Sequence, residues 1–271
     1  MSGAEASGFE RELDDRSRDK LSEVHLFDIV DSTSSFLLRQ APPAPGKANV
    51  ALADDQSAGR GRHDRRWVSE KGASLCLSLA YTFATPPDTL LGLTPVMGVA
   101  ANRAFAATGL TGVQLKWPND LVFHDCKLGG LLAESQLKAD RQVTVVAGVG
   151  INLDLPSELL EASATDWAHR AIDLQSAMPS PPSRDELAAL ITAELLYAFE
   201  AFGMGRAAPL MAEWRERDWL LGKDIVVEEG NTVIQGEACG IDDDGALLVR
   251  TADGAQRIIT GSVRLSGPYS Y

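Results

Sequence analysis

Gly59-Arg60-Gly61-Arg62-His63-Asp64-Arg65-Arg66-Trp67 is the stretch on which the reading of this 271-residue chain turns. From Gly59 to Lys71, five basic residues (Arg60, Arg62, Arg65, Arg66, Lys71) meet two acids (Asp64, Glu70), a local +3 in a chain of formal charge −13. Glycines let a backbone approach a ligand and present N–H groups, and arginines are permanent planar cations suited to phosphate oxygens. Alone, such a stretch reads equally as a solvated basic loop or an RNA-binding arm. It is not a Walker A loop, because no GxxxxGK[ST] occurs in the chain. Nor is it a dinucleotide fingerprint, because Asp64 stands where the third glycine would fall.

Around this loop the chain is ordinary for a globular protein: 45% apolar and 23% charged residues, enough for one good-sized domain plus a small one. The charge of −13 opposes bulk nucleic acid and anionic membrane, so an anionic ligand needs a local concentration of cations. Cys76, Cys126 and Cys239 are odd in number and far apart, which fits neither a disulfide framework nor a zinc site. No apolar run approaches the roughly 20 residues that cross a bilayer, and Met1–Lys20 lacks the apolar core of a signal peptide. The expectations are a cytoplasmic protein without membrane contact, with residues 1–21 a flexible leader, although a short solvated helix over Phe9–Leu21 is compatible with the pattern.

Working outward, His25–Val30, Asn49–Ala53 and Ser74–Phe83 read as strands, with Asp31-Ser32-Thr33-Ser34 offering caps to a helix over Ser35–Arg39. Thr94-Pro95 opens a helix that stops at Gly109. Val113–Val122, Gly130–Gln136 and Val143–Val149 are strand candidates. Ser183-Arg184-Asp185-Glu186 is a capping box for a helix ending near Gly203, and a further helix covers Pro209–Trp219, where Trp214 and Trp219 read as core. From Gly222, short strands at Ile225–Val227, Val233–Gly240, Ala246–Val249 and Ala255–Ile259 alternate with Asp/Gly turns, the pattern of a small all-β barrel.

Three further segments carry possible chemistry. Lys116-Trp117-Pro118-Asn119-Asp120 places one ammonium at the end of an apolar strand. Lys127-Leu128-Gly129-Gly130-Leu131-Leu132-Ala133-Glu134 mixes small and alternating apolar residues. Ala147-Gly148-Val149-Gly150-Ile151-Asn152 bares backbone on one strand face, against which a flat ligand can lie. Each alone reads as well as a turn, a packed strand or a bulge.

Together with Ser32-Thr33-Ser34 and Gln56-Ser57-Ala58 ahead of the arginine loop, these segments resemble, in order and spacing, the biotin protein ligases. That family shows S-T-N, Q-x-A-G-R-G-R-x-G-R-x-W, K-W-P-N-D, K-x-x-G-I-L-x-E and G-x-G-x-N. The resemblance is close from His25 to Leu153 and looser in the C-terminal β module. Three positions depart from it: Asp64 for the loop glycine, Ser34 for the asparagine, and Ser74 for an asparagine near the nucleotide.

The resemblance implies an α+β fold: a mixed sheet with packing helices, of the class II synthetase-like kind, over 22–220. A small C-terminal SH3-like β-barrel would follow over 221–271. It implies an enzyme that makes biotinyl-5′-AMP from biotin and ATP, with Mg²⁺ entering with the nucleotide, and then biotinylates a lysine of a biotin carboxyl carrier domain. No residue set is assigned to a metal of the protein's own. By resemblance, Arg62 and Arg65 embrace carboxylate and phosphate, and Lys116 contacts the reacting oxygens. Ser32, Thr33 and Gln56 hydrogen-bond the biotin rings, while Gly59, Arg60, Gly148 and Gly150 shape that pocket. Trp67, Ser74, Asn119 and Asn152 belong to the ATP side, and Asp120 is the carboxylate to accept the carrier lysine's proton. Rival readings are a lipoate ligase or octanoyl transferase, a biotin-responsive repressor, and a non-catalytic binder. Only about 24 residues precede the first strand, too few for a helix-turn-helix, so no specific DNA contact is expected. A monomer or weak homodimer is.

Overall fold

The computed structural model describes residues 7–63, 65–68, 70–137, 142–164, 170–230 and 232–266. Its main sheet contains β1 (Leu21–Val30), β2 (Ala48–Gln56), β3 (Ser74–Thr82), β4 (Gln114–Lys116), β5 (Asp120–Phe123), β6 (Cys126–Leu137) and β7 (Val143–Asn152). The order is β1-β2-β3-β7-β6-β5-β4, with β1 parallel to β2 and all other neighbours antiparallel. The sheet is mixed, as expected. β3, between β2 and β7, is buried at every position, so its sequence is mostly apolar or small on both faces.

Side chains alternate across a strand, so each face collects its own cluster. On one face, Val50, Leu52, Leu77 and Val145 pack beneath α4 (Leu93–Ala107) and α7 (Arg184–Gly203). On the other, Ala51, Ala80 and Val146 pack against Leu37 of α3 (Thr33–Arg39). Ser183 caps α7, its Oγ accepting the Glu186 N–H at 3.1 Å. Ser32 caps α3 in the same way, accepting from Ser35 at 3.3 Å, so α3 starts two residues earlier than expected. α5 (Ser157–Ala164) and α6 (Leu174–Ala177) are short, and α8 (Ala208–Glu216) rests on α4 and ends before Trp219.

Within the expected leader the structure differs. α1 (Gly8–Glu12) and α2 (Asp15–Lys20) lie on α7, with Phe9 1% and Leu13 3% exposed. The polar composition of this segment hides two apolar side chains four residues apart, and those two decide its place. Ser7 and Glu10 close a capping box, and Arg16 and Lys20 pair with Glu200 of α7.

The C-terminal module holds β8 (Asp224–Glu229), β9 (Thr232–Ile241), β10 (Leu247–Thr251), β11 (Gly254–Ile258) and β12 (Ser262–Leu265). They form an antiparallel sheet ordered β11-β10-β9-β8-β12. β12 was not expected from sequence; four residues with two apolar ones are too few to signal a strand, and its pairing with β8 creates it. The module is not separate in its packing. Leu115, Trp117, Leu220, Ile225 and Leu247 belong to one continuous core. The crossing segment also flanks β4: Leu115 N–H donates to Arg217 O at 2.8 Å, and Trp219 N–H donates to Leu115 O at 2.9 Å. Among the described residues, no helix is long and apolar enough to cross a membrane.

Candidate active site

A cavity of about 660 Å³ opens where the arginine loop, the ends of β4–β7 and the β12 edge meet. Among the described residues, eight lysine or arginine side chains line it against three carboxylates, Asp120, Asp125 and Glu228. A chain of charge −13 thus concentrates its cations at one place.

The loop is closed on itself by backbone hydrogen bonds: Gly61 N–H to Arg65 O at 2.8 Å, and Trp67 N–H to Gly59 O at 3.0 Å. A Cβ on Gly59 would stand 2.4 Å from Trp67 O, so the crossing requires glycine there. Asp64 lies outside the described residues; its neighbour His63 has φ 52°, in the left-handed region. Arg60 lines the cavity but turns its guanidinium to Glu134, in a bidentate pair at 2.8 and 2.7 Å. Arg62 and Arg65 reach the module instead. Arg62 donates to Gly261 O at 3.3 Å and Thr260 Oγ1 at 3.4 Å, and Arg65 to Ser262 Oγ at 3.5 Å. Burial pulls the Arg62 pKa down, against the opposing pull of Asp120. A half-buried cation with weak, long hydrogen bonds is prepared for an anionic partner.

Trp67 lies over the bared strands. A Cβ on Gly150 would fall 2.6 Å from the indole, and one on Gly130 3.5 Å from it. Gly150 and Gly148 both line the cavity; the Trp67 ring rests on Gly150, and Gly148 leaves room for the Ser34 hydroxyl, 2.7 Å from where its Cβ would be. The buried Trp67 Nε1–H has no acceptor among the described residues, which costs free energy until a ligand supplies one.

At the floor, Thr33 N–H donates to Gln56 Oε1 at 2.8 Å, and Thr33 Oγ1 lies 2.7 Å from Ser78 Oγ. Ser34 Oγ is 2.9 Å from the same Ser78. Ser32, Thr33, Ser34, Gln56 and Ser78 are buried, yet all line the cavity. They form a buried cluster of hydroxyl and amide donors and acceptors.

Lys116 leaves the end of β4 into the cavity, its Nζ 4.0 Å from Asp120. Burial lowers its pKa, Asp120 opposes that, and Lys127 and Arg65 add to it. Lys127 Nζ is 2.6 Å from Asp120 Oδ1, so one carboxylate spaces two ammonium groups. Asn119 ties this corner to β6 by donating from Nδ2 to Leu131 O at 2.7 Å.

Three expected residues do not line the cavity. Gly59 is taken up by the loop's own crossing against Trp67, and Ser74 is fully buried, paired in register with Asn152. Asn152 donates from Nδ2 to Lys127 O and Ile172 O at 3.2 and 3.0 Å, which makes it a strut behind Lys127. Conversely, Ser78, Lys127, Arg170, Trp219 and Arg264 line the cavity without having been singled out. Lys127 stands in a quoted motif, but only the β5–β6 hairpin brings it to Asp120. For Ser78 and Trp219 no local signal exists.

The chain has relatives among known proteins. The Biotin/lipoate A/B protein ligase family profile matches residues 26–152, and the Biotin protein ligase C terminal domain profile matches 220–265. The bifunctional ligase/repressor BirA of Escherichia coli is 33% identical over 226 residues, 83% of this chain and 68% of that protein. The chain belongs to the biotin protein ligases. The biotin–[acetyl-CoA-carboxylase] ligase of Paracoccus denitrificans is 31% identical over 88% of this chain and 98% of its own length. Among solved structures, the biotin protein ligase from Aquifex aeolicus in complex with biotin and ATP superposes with TM-score 0.74 at 25% identity. That match covers 90% of this chain and all of that one. With two profiles and these relatives, the α+β catalytic fold and the SH3-like module follow directly.

Proposed function

We propose that this ligase activates biotin with MgATP to biotinyl-5′-AMP and transfers the biotinyl group to a lysine of a carboxylase carrier domain. The observation that carries the reading is one cavity joining a buried hydroxyl–amide floor to a rim of cations. The floor of Ser32, Thr33, Ser34, Gln56 and Ser78 suits the ureido ring. The rim of Arg62, Arg65, Lys116 and Lys127 suits a carboxylate and a triphosphate that otherwise repel each other.

In the first step a biotin carboxylate oxygen attacks the α-phosphorus, and the bond to pyrophosphate breaks. Charge grows on the α-phosphate, where Lys116 and Lys127 stand, spaced by Asp120. Arg62 and Arg65 turn from the module to the bound anions, and Trp67 closes over the adenosine side, excluding water from the anhydride. In the second step the carrier lysine attacks the acyl carbon and AMP leaves. Asp120 takes the amine's proton once Lys127 has turned to phosphate. Mg²⁺ would enter with the nucleotide and help neutralise the triphosphate's charge. The protein works in the cytoplasm as a monomer or weak homodimer, and its net charge of −13 disfavours specific DNA contact.

The test is direct: mix the protein with biotin, MgATP and an acceptor domain, and weigh the acceptor. A gain of one biotin is expected. No gain on any acceptor, or pyrophosphate exchange supported by lipoate rather than biotin, refutes the reading.

A further inference from the structure

Trp219 belongs to none of the motifs, yet it lies at the junction of the two sheets and lines the cavity, 6% exposed. Its ring carries two ammonium groups, Lys223 Nζ at 3.5 Å from the centroid and Lys116 Nζ at 5.6 Å. Its indole N–H donates to Asp125 Oδ1 at 2.8 Å. Asp125 sits in the two-residue β5–β6 turn with φ 60°, so the acceptor is fixed by the hairpin that also precedes Lys127. The backbone of the same residue holds β4, whose last residue is Lys116.

We infer that Trp219 is a positioning residue: its ring holds the Lys116 ammonium at the cavity, and its backbone fastens that lysine's strand to the C-terminal module. The inference rests on the adenylation reading above. A buried tryptophan at a junction is ordinarily packing alone. Here the ring's orientation is set by a hydrogen bond, and one of its cations is the lysine of the site. Lys116 needs such a neighbour. The charged groups facing it are Asp120 at 4.0 Å, already held by Lys127 at 2.6 Å, and the cations Lys127, Arg65 and Lys223. Asp120, shared with Lys127, offsets part of that charge, and the electron-rich ring face adds to the offset.

Biotin-dependent ATP–pyrophosphate exchange on the full chain tests this, alongside NMR of lysine labelled at Cε. Trp219→Leu should lower kcat by about tenfold, the scale of a desolvated cation–π contact, with both KM values within about threefold of wild type. The alkaline limb of its rate profile and the Lys116 Cε titration should both move to lower pH. Trp219→Phe, which keeps a ring, should retain most of the rate. Asp125→Gly suits the φ of 60° and removes the indole's acceptor, so it should show the same changes, smaller, if Trp219→Leu fails to fold. A kcat within twofold of wild type with both titrations unmoved overturns the inference, as does equal loss in the Phe and Leu variants. A wild-type protein without exchange refutes the adenylation reading instead, and the Lys116 titration then still decides whether Trp219 sets its charge.

Discussion

Gly150→Ala adds one methyl beneath the Trp67 ring. The new Cβ would stand 2.6, 2.7 and 3.0 Å from three indole carbons, where ordinary contact is about 3.5–4.0 Å, so one side must withdraw by about 1 Å. The backbone cannot: Gly150 is paired with Cys76 of β3 on one side and Gly130 of β6 on the other. The ring, carried on a surface loop, moves instead. Overpacking of this kind costs about 1–3 kcal/mol, and it falls on the closed lid, so retention of the nucleotide should weaken by about 5- to 150-fold. The assay is the KM for ATP in biotin-dependent pyrophosphate exchange, with thermal melting measured on the same samples. The expected result is a raised ATP KM, a smaller change for biotin, and little change in melting temperature. Gly130→Ala, whose Cβ would meet the same ring at an ordinary 3.5 Å, should have a much smaller effect. An ATP KM within twofold of wild type in Gly150→Ala would refute the idea that this ring closes the nucleotide side.

Lys116→Ala should slow exchange by about 10²–10³-fold, the cost of a lost donor where charge develops, because the lysine sits on rigid strand. Its lowered pKa also predicts a wild-type exchange rate that falls on the alkaline side before an ordinary lysine would titrate, as a rate profile will show. Arg62→Gly should instead release biotinyl-5′-AMP early, read as biotin on bystander proteins; equal, purely catalytic defects in the two variants would defeat that division of labour. Asp218 is 9% exposed, and burial pushes its pKa up from 3.8 to about 6. The stability it contributes is therefore present below pH 3.8 and lost as pH rises through about 6. Asp218→Asn should stabilise the fold at pH 7 by up to about 3 kcal/mol at 1.36 kcal/mol per pKa unit, and leave it unchanged near pH 3.5; urea titrations at the two pH values check this.

What was legible in the sequence is what a short stretch can encode. The Gly59–Trp67 loop announced itself because glycine and arginine at close spacing violate the chain's overall charge, and the strand cores announced themselves by composition. What escaped depends on register. Lys127 enters the site because β5 and β6 form a hairpin that brings it to Asp120, a distance no linear spacing reports. Ser78 faces the cavity because β3 alternates, and only the burial of Ser34 and Thr33 above it shows which face is the floor. The same holds for the bared face of Gly150. Gly150 was rightly read as bare, but the occupant of the bared face comes from Trp67, 83 positions earlier in the chain.

Phe9 and Leu13 are a minority in a polar segment, so an average over composition passes over them. Burial is decided side chain by side chain, and a single large apolar group outweighs several solvated charges that lose little by staying in water. The consequence for the site is specific. The C-terminal module, which reads from sequence as a small all-β barrel, places Thr260, Gly261 and Ser262 against the loop arginines, and joins the strand of Lys116 through Trp219. Lid and lysine thus meet the same module by different contacts, so a change in how it sits acts on substrate retention and on adenylation at once.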